Sequence, residues 1–156
     1  MSLGPHEIDH FHEEGYLIFP ALIHGKKLAR YKSGLVELVT RAKAMETSQG
    51  GYILQPDENG ELIPGRLFKV QGICVVEPLI LDLARECEIT DRIASLIGPD
   101  LHMFGSKFFP MLPNGGTSTG WHQDNHYFGT ESDRVVSCVI YLEESDRSNG
   151  CLKLLP

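Results

Sequence analysis

Val135-Val136-Ser137-Cys138-Val139-Ile140-Tyr141 is the most strand-like run in this 156-residue chain. β-branched residues dominate it and polar turns bound it, the pattern of a strand that packs on both faces. Working outward, residues 121–128 and 101–109 upstream and residues 151–155 downstream also read as strands. A loop rich in Gly, Ser, Thr and Pro, residues 110–120, separates two of them. No helical pattern lies between these strands, which favours a sandwich or jelly roll over a parallel sheet with crossover helices.

Upstream of residue 100 the texture is helical. Residues 6–14 predict a short helix, with Ile8 and Phe11 on one face and Gly15 placed to end it. Residues 16–19 form a brief extended segment stopped by Pro20. Over residues 26–44, Leu28, Tyr31, Leu35, Leu38 and Ala42 recur at three- and four-residue steps, the face of an amphipathic helix that should cover something flat and apolar. Residues 50–65 read as a loop and 67–71 as a short strand. Helices are expected at 79–86 and 90–97, the second capped by Thr90 and closed by Gly98. The expectation is therefore α+β: a single domain over 1–156, mainly helical over 1–100 and β over 101–156.

Composition narrows the function. Charged residues are 22% and hydrophobic ones 42%, ordinary for a globular protein. The net charge of −7 and the lack of a basic patch argue against nucleic acid as a partner. The most apolar stretch, residues 15–23, is too short to span a bilayer, contains Pro20 and follows acidic rather than basic residues. No membrane partner and a cytoplasmic location are expected. Cys74, Cys87, Cys138 and Cys151 show no C-x-x-C spacing, and are expected to be reduced, mostly buried thiols.

Chemistry concentrates in Trp121-His122-Gln123-Asp124-Asn125-His126. On a regular strand His122, Asp124 and His126 would share one face. A His and an Asp two residues apart can take neighbouring positions on a metal. With one more His they make the two-His-one-carboxylate triad of non-haem Fe(II) oxygenases, which leaves positions open for cosubstrate and O2. H-x-D alone is a short motif with many chance occurrences. His126 is expected to line the pocket rather than bind. Along a strand its Cβ would lie roughly 13 Å from that of His122, too far to share an ion. His6, His10, His12, His24 and His102 show no ligand spacing on β structure.

The residues 121–128, Trp-His-Gln-Asp-Asn-His-Tyr-Phe, resemble the H-Q-D-x-x-Y-F pattern of the phytanoyl-CoA dioxygenase family of Fe(II)/2-oxoglutarate-dependent oxygenases. Ser148-Asn149-Gly150-Cys151-Leu152-Lys153-Leu154-Leu155-Pro156 resembles its N-G-C-L-x-x-x-P segment. Phe11-His12-Glu13-Glu14-Gly15-Tyr16-Leu17 is similar to its opening F-x-x-x-G-Y, and Lys69-Val70-Gln71 to a short segment before the barrel. These matches run in order from Phe11 to the last residue. The resemblance implies N-terminal helices packed on a double-stranded β-helix, cupin-like, with the barrel incomplete in this chain. It implies His122 and Asp124 as iron ligands and Lys69 as a contact of 2-oxoglutarate. Met103 and Ile140 would line the same cosubstrate site. Taken alone, Met103 and Ile140 are ordinary core residues and Lys69 an ordinary solvated lysine.

The activity implied is hydroxylation of a small organic or acyl substrate, with O2 and 2-oxoglutarate consumed and Fe(II) as cofactor. Asp124 stands where halogenating relatives carry Ala or Gly, which argues against halogenation. The family's second iron-binding His and the Arg that pairs with 2-oxoglutarate lie beyond the N-G-C-L segment. The chain is therefore expected to be a fragment carrying the first barrel strands, the C-terminal ones missing, and inactive as it stands. A truncated relative is the other option. The rival function is a non-catalytic jelly-roll binding module that lacks the distal His and Arg. A zinc hydrolase using His122 and Asp124 lacks a recognisable third ligand and general base. Substrate choice would rest with loops such as 50–65 and 110–120.

Overall fold

Helix formation follows the apolar spacing closely in the first half of the chain. The structure is a computed structural model that describes residues 2–112, 119–129, 132 and 134–155. Helix α1, Pro5–Glu14, starts with Pro at its first position, and the Glu7 carboxylate accepts the Gly4 N–H at 2.8 Å. It ends at Gly15, whose φ of 80° lets its N–H return to the Phe11 carbonyl. Helix α2, Gly25–Ala42, buries Tyr31, Leu38 and Ala42, residues of the expected face.

What α2 covers is an antiparallel sheet with strand order β1-β2-β3: β1 is Tyr52–Pro56, β2 Leu62–Gln71 and β3 Lys107–Phe108. Leu38 and Ala42 meet Leu67 and Val70 of β2. Ile73 and Cys74 of α3 (Ile73–Val76) and Ile80 of α4 (Pro78–Ala84) close the cluster. Polar ties lock the same elements. Glu86 takes the Tyr31 hydroxyl at 2.5 Å and the Lys27 ammonium at 2.6 Å. Burial, reinforced by that carboxylate, pushes the Tyr31 phenol up to about 12.

The hairpin β1–β2 overturns the expected loop at 50–65. Asp57 makes the turn. Its backbone N–H reaches the Glu61 carbonyl at 2.8 Å, and its Oδ1 accepts the N–H groups of Asn59 and Glu61 at 2.8 and 2.9 Å. The backbone donors of Glu61 and Asn59 hold the Asp57 carboxyl below its usual range. Gly65, at φ 71°, sits where a Cβ would fall 2.6 Å from the Lys43 carbonyl oxygen. Gly65→Ala should therefore destabilise the protein by at least about 2 kcal/mol. Gly60→Ala, with φ 87° and open space around it, should cost only about 1 kcal/mol. Equal losses in urea titrations of the two variants would contradict the close-approach account.

Two compact units result. The sheet unit comprises residues 21–86 and 102–110. The other comprises residues 1–20, 87–101 and 111–156, with α1, α5 (Cys87–Ile97) and α6 (Asn125–Phe128). Within the second unit the Ser95 hydroxyl accepts the Leu3 N–H at 3.1 Å, and the Arg92 guanidinium lies 4.9 Å from the Phe19 ring centre. Helix α5 starts three residues before the expected cap at Thr90 and ends, as expected, at Gly98.

The β expectations for 101–156 need correction. Of 101–109 only Lys107–Phe108 pairs, and 121–128 is a turn leading into α6. The described residues of 135–141 and 151–155 form no ladder. β-branched side chains favour a strand only where a neighbouring strand completes the ladder, and among the described residues none pairs with these segments. Their apolar side chains stay out, Val139 at 58% and Leu155 at 77% exposure. The observed architecture is thus mixed helix and sheet, with an open three-stranded antiparallel sheet. Residues 113–118 of the expected 110–120 loop, and Pro156 of the N-G-C-L segment, lie outside the described residues. All four cysteines are free, but only Cys74 is buried; Cys151 is half-buried, and Cys87 and Cys138 are exposed. Among the described residues no helix is long and apolar enough to cross a membrane.

Candidate metal centre

A turn, not a strand, brings His122 and Asp124 together. The N–H groups of His126 and Tyr127 return to the Gln123 and Asp124 carbonyls at 3.1 and 2.9 Å, and Gly129 at φ 60° ends the short α6. Wound in this way, residues two apart can still converge. His122 Nε2 lies 3.4 Å from Asp124 Oδ1.

The proton on the ring is placed by its other nitrogen. His122 Nδ1 lies 2.8 Å from the Gly120 carbonyl oxygen, which can only accept, so Nδ1 carries the hydrogen. In the neutral ring Nε2 then presents a lone pair toward a carboxylate oxygen. Two electron-rich atoms at that separation repel unless a proton or a cation lies between them. Metal–donor bonds of about 2.1 Å would span the 3.4 Å gap at an angle of roughly 110°, within the range of adjacent ligands. The pair is partly open, with side-chain exposures of 35% and 48%. The donor set, imidazole plus carboxylate, suits a first-row divalent ion such as Fe(II).

The surroundings of the pair hold one residue that the motif did not point to. Ser137 donates its hydroxyl to Asp124 Oδ2 at 2.7 Å. The Tyr127 ring lies edge-on to both His122 and His126, with centres 5.6 and 5.4 Å away. The strand spacing used to separate His126 from the ion therefore does not apply, because this segment coils. Even so, among the described residues no three His, Cys, Asp or Glu side chains gather around one point.

The remaining candidates sit as follows. Lys69 lies on β2 opposite Ile53, half-buried, its ammonium 6.0 Å from the Phe68 ring centre. Among the described residues no carboxylate pairs with it. Met103 is 45% and Ile140 37% exposed, so neither is the core residue that its apolar side chain alone would suggest.

A family model for phytanoyl-CoA dioxygenase matches residues 11–156. A probable alpha-ketoglutarate-dependent hypophosphite dioxygenase of Stutzerimonas stutzeri is 22% identical over 144 residues, 92% of this chain and 49% of the relative. The peroxisomal phytanoyl-CoA dioxygenase of Bos taurus is 25% identical over 158 residues, 94% and 44% of the two chains. An ectoine dioxygenase of Stutzerimonas stutzeri is 24% identical over 153 residues, 96% and 48%. The chain spans about half the length of the curated relatives it matches. No solved structure matches it.

Proposed function

The chain belongs to the phytanoyl-CoA dioxygenase family, and from that membership we propose that it serves an Fe(II)- and 2-oxoglutarate-dependent oxygenase that hydroxylates a small organic or acyl substrate. The observation that carries the reading is His122 Nε2 held 3.4 Å from Asp124 Oδ1 while Nδ1 bonds the Gly120 carbonyl. A relative named as alpha-ketoglutarate-dependent, at 22% identity, supports the cosubstrate.

In this reading His122 and Asp124 hold the ion. The Nδ1–H bond to the Gly120 carbonyl keeps the His122 ring from flipping and raises the basicity of Nε2. Asp124 contributes one negative charge and a hard oxygen donor. Fe(II) held there with 2-oxoglutarate would supply oxidative chemistry, one atom of O2 ending in succinate as the keto acid loses CO2 and the other in a substrate C–H bond. Lys69 offers its ammonium to a carboxylate of 2-oxoglutarate, and Met103 and Ile140 give that cosubstrate apolar walls. His126 lines the substrate side. Residues 101–156 belong, in the same reading, to a double-stranded β-helix of the cupin type. The partners are a small-molecule substrate and O2, and the place is the cytoplasm.

The test is succinate release from 2-oxoglutarate by the complete gene product, loaded anaerobically with Fe(II) and then exposed to air. Iron-dependent succinate is expected, and its absence at saturating iron and 2-oxoglutarate would refute the oxygenase. Lys69→Ala should raise the 2-oxoglutarate concentration needed for half-maximal release roughly 10- to 100-fold, from the loss of about 1.5–3 kcal/mol of charge-assisted bonding. Fe(II) affinity should stay within about 2-fold, because a lysine is no ligand of this ion. An unchanged 2-oxoglutarate requirement would remove Lys69 from the site.

A further inference from the structure

A carboxylate has two equivalent oxygens, and an aspartate free to rotate can bind a metal through one or both. Binding through both would occupy a position that a keto acid or O2 needs. In this protein the two oxygens are not equivalent. Oδ2 accepts the Ser137 hydroxyl at 2.7 Å, whereas Oδ1 faces His122 Nε2 at 3.4 Å. The hydroxyl bond joins positions 13 residues apart in sequence, and so ties the 134–141 segment to the turn that carries the pair. Asp124 needs this help. It opens α6 without making a side-chain cap bond, so no helix N–H fixes its carboxylate. Among the described residues Asp124 is the polar partner of Ser137, and the Ser137 side chain is exposed rather than packed.

We infer that Ser137 is a positioning residue for the metal centre: its hydroxyl holds Oδ2 of Asp124 and leaves Oδ1 as the single metal-facing oxygen beside His122. The inference rests on the proposed His122–Asp124 centre and adds to it the residue that sets the binding mode of the carboxylate. Outer partners of this kind orient a ligand and tune its donor strength, and their loss typically weakens metal binding about 10- to 100-fold.

Co(II), which replaces Fe(II) without reacting with O2 on the timescale of a titration, reads this directly. The complete gene product, wild type and as Ser137→Ala, Ser137→Thr and His122→Ala, is titrated with Co(II) by calorimetry and by visible absorption. Ser137→Ala should weaken binding about 10- to 100-fold and change the ligand-field spectrum as the carboxylate takes a second mode. Ser137→Thr keeps the hydroxyl and should recover wild-type affinity to within about 3-fold. His122→Ala should abolish the site. Wild-type Co(II) affinity in Ser137→Ala, with binding lost in His122→Ala, would overturn the positioning role while leaving the metal centre standing. Equal loss in the Ala and Thr variants would also overturn it, because the hydroxyl would then be irrelevant. Co(II) bound equally well by wild type and His122→Ala would overturn the centre itself, and the inference with it. Far-UV circular dichroism and melting of Ser137→Ala should match wild type, as expected for an exposed side chain.

Discussion

His122→Ala is expected to lower Fe(II) affinity by at least about 100-fold, beyond the range for outer partners, and to bring succinate release to background. The imidazole supplies a donor that water cannot replace with equal basicity, and Asp124 alone is a weak monodentate site. The fold should not notice. The His122 side chain is 35% exposed and its Nδ1 bonds a neighbouring backbone carbonyl, so stability should change by no more than about 0.5 kcal/mol. Calorimetric Fe(II) titration under anaerobic conditions, with a thermal melt as control, checks both halves. Iron affinity retained in the variant would place the ion elsewhere. A collapsed melt would assign His122 to structure.

The second large effect belongs to the core of the sheet unit. Leu38 is fully buried at the centre of α2, against Leu67, Val70, Ile73 and Ile80. Leu38→Ala should destabilise by about 3 kcal/mol, combining lost transfer energy with the cavity left behind. That corresponds to a melting temperature lower by roughly 10 °C for a chain of this size. Val36→Ala, two residues away on the same helix but 64% exposed, should stay within about 0.5 kcal/mol. Urea titration of both variants separates them. Similar losses at the two positions would mean that α2 does not present the Leu38 face to the sheet.

That face was legible because helical periodicity is a local property: Tyr31, Leu38 and Ala42 are buried where three- and four-residue steps put them. The end of β2 at Gln71 was legible too, and the strand expected at 67–71 is the second half of Leu62–Gln71. Its partner β1 was not. Five residues, Tyr52–Pro56, are flanked by Gly50 and Gly51 on one side and by Asp57, Asn59 and Gly60 on the other, and turn chemistry outweighs so short a strand. At 135–141 the opposite error arises, because β propensity registers a side-chain preference but not whether a ladder partner lies alongside.

At the site, the motif could nominate His122 and Asp124 as a pair, but it could not give their geometry. On a strand the two side chains would share a face through their i, i+2 spacing, whereas here the turn bonds of His126 and Tyr127 converge the pair by another route. Ser137 carried no local signal at all. Its contact with Asp124 depends on the path of the chain over the intervening residues, which spacing does not encode.

One ion shared by His122 Nε2 and Asp124 Oδ1 would be visible between the two side chains. Crystals of the complete gene product grown anaerobically with Mn(II) and 2-oxoglutarate, with anomalous data at the manganese edge, test it most directly. A single strong peak is expected about 2.1–2.2 Å from both atoms, with the keto acid on the same ion. A peak bound to other side chains, or to only one of the two atoms, would contradict it.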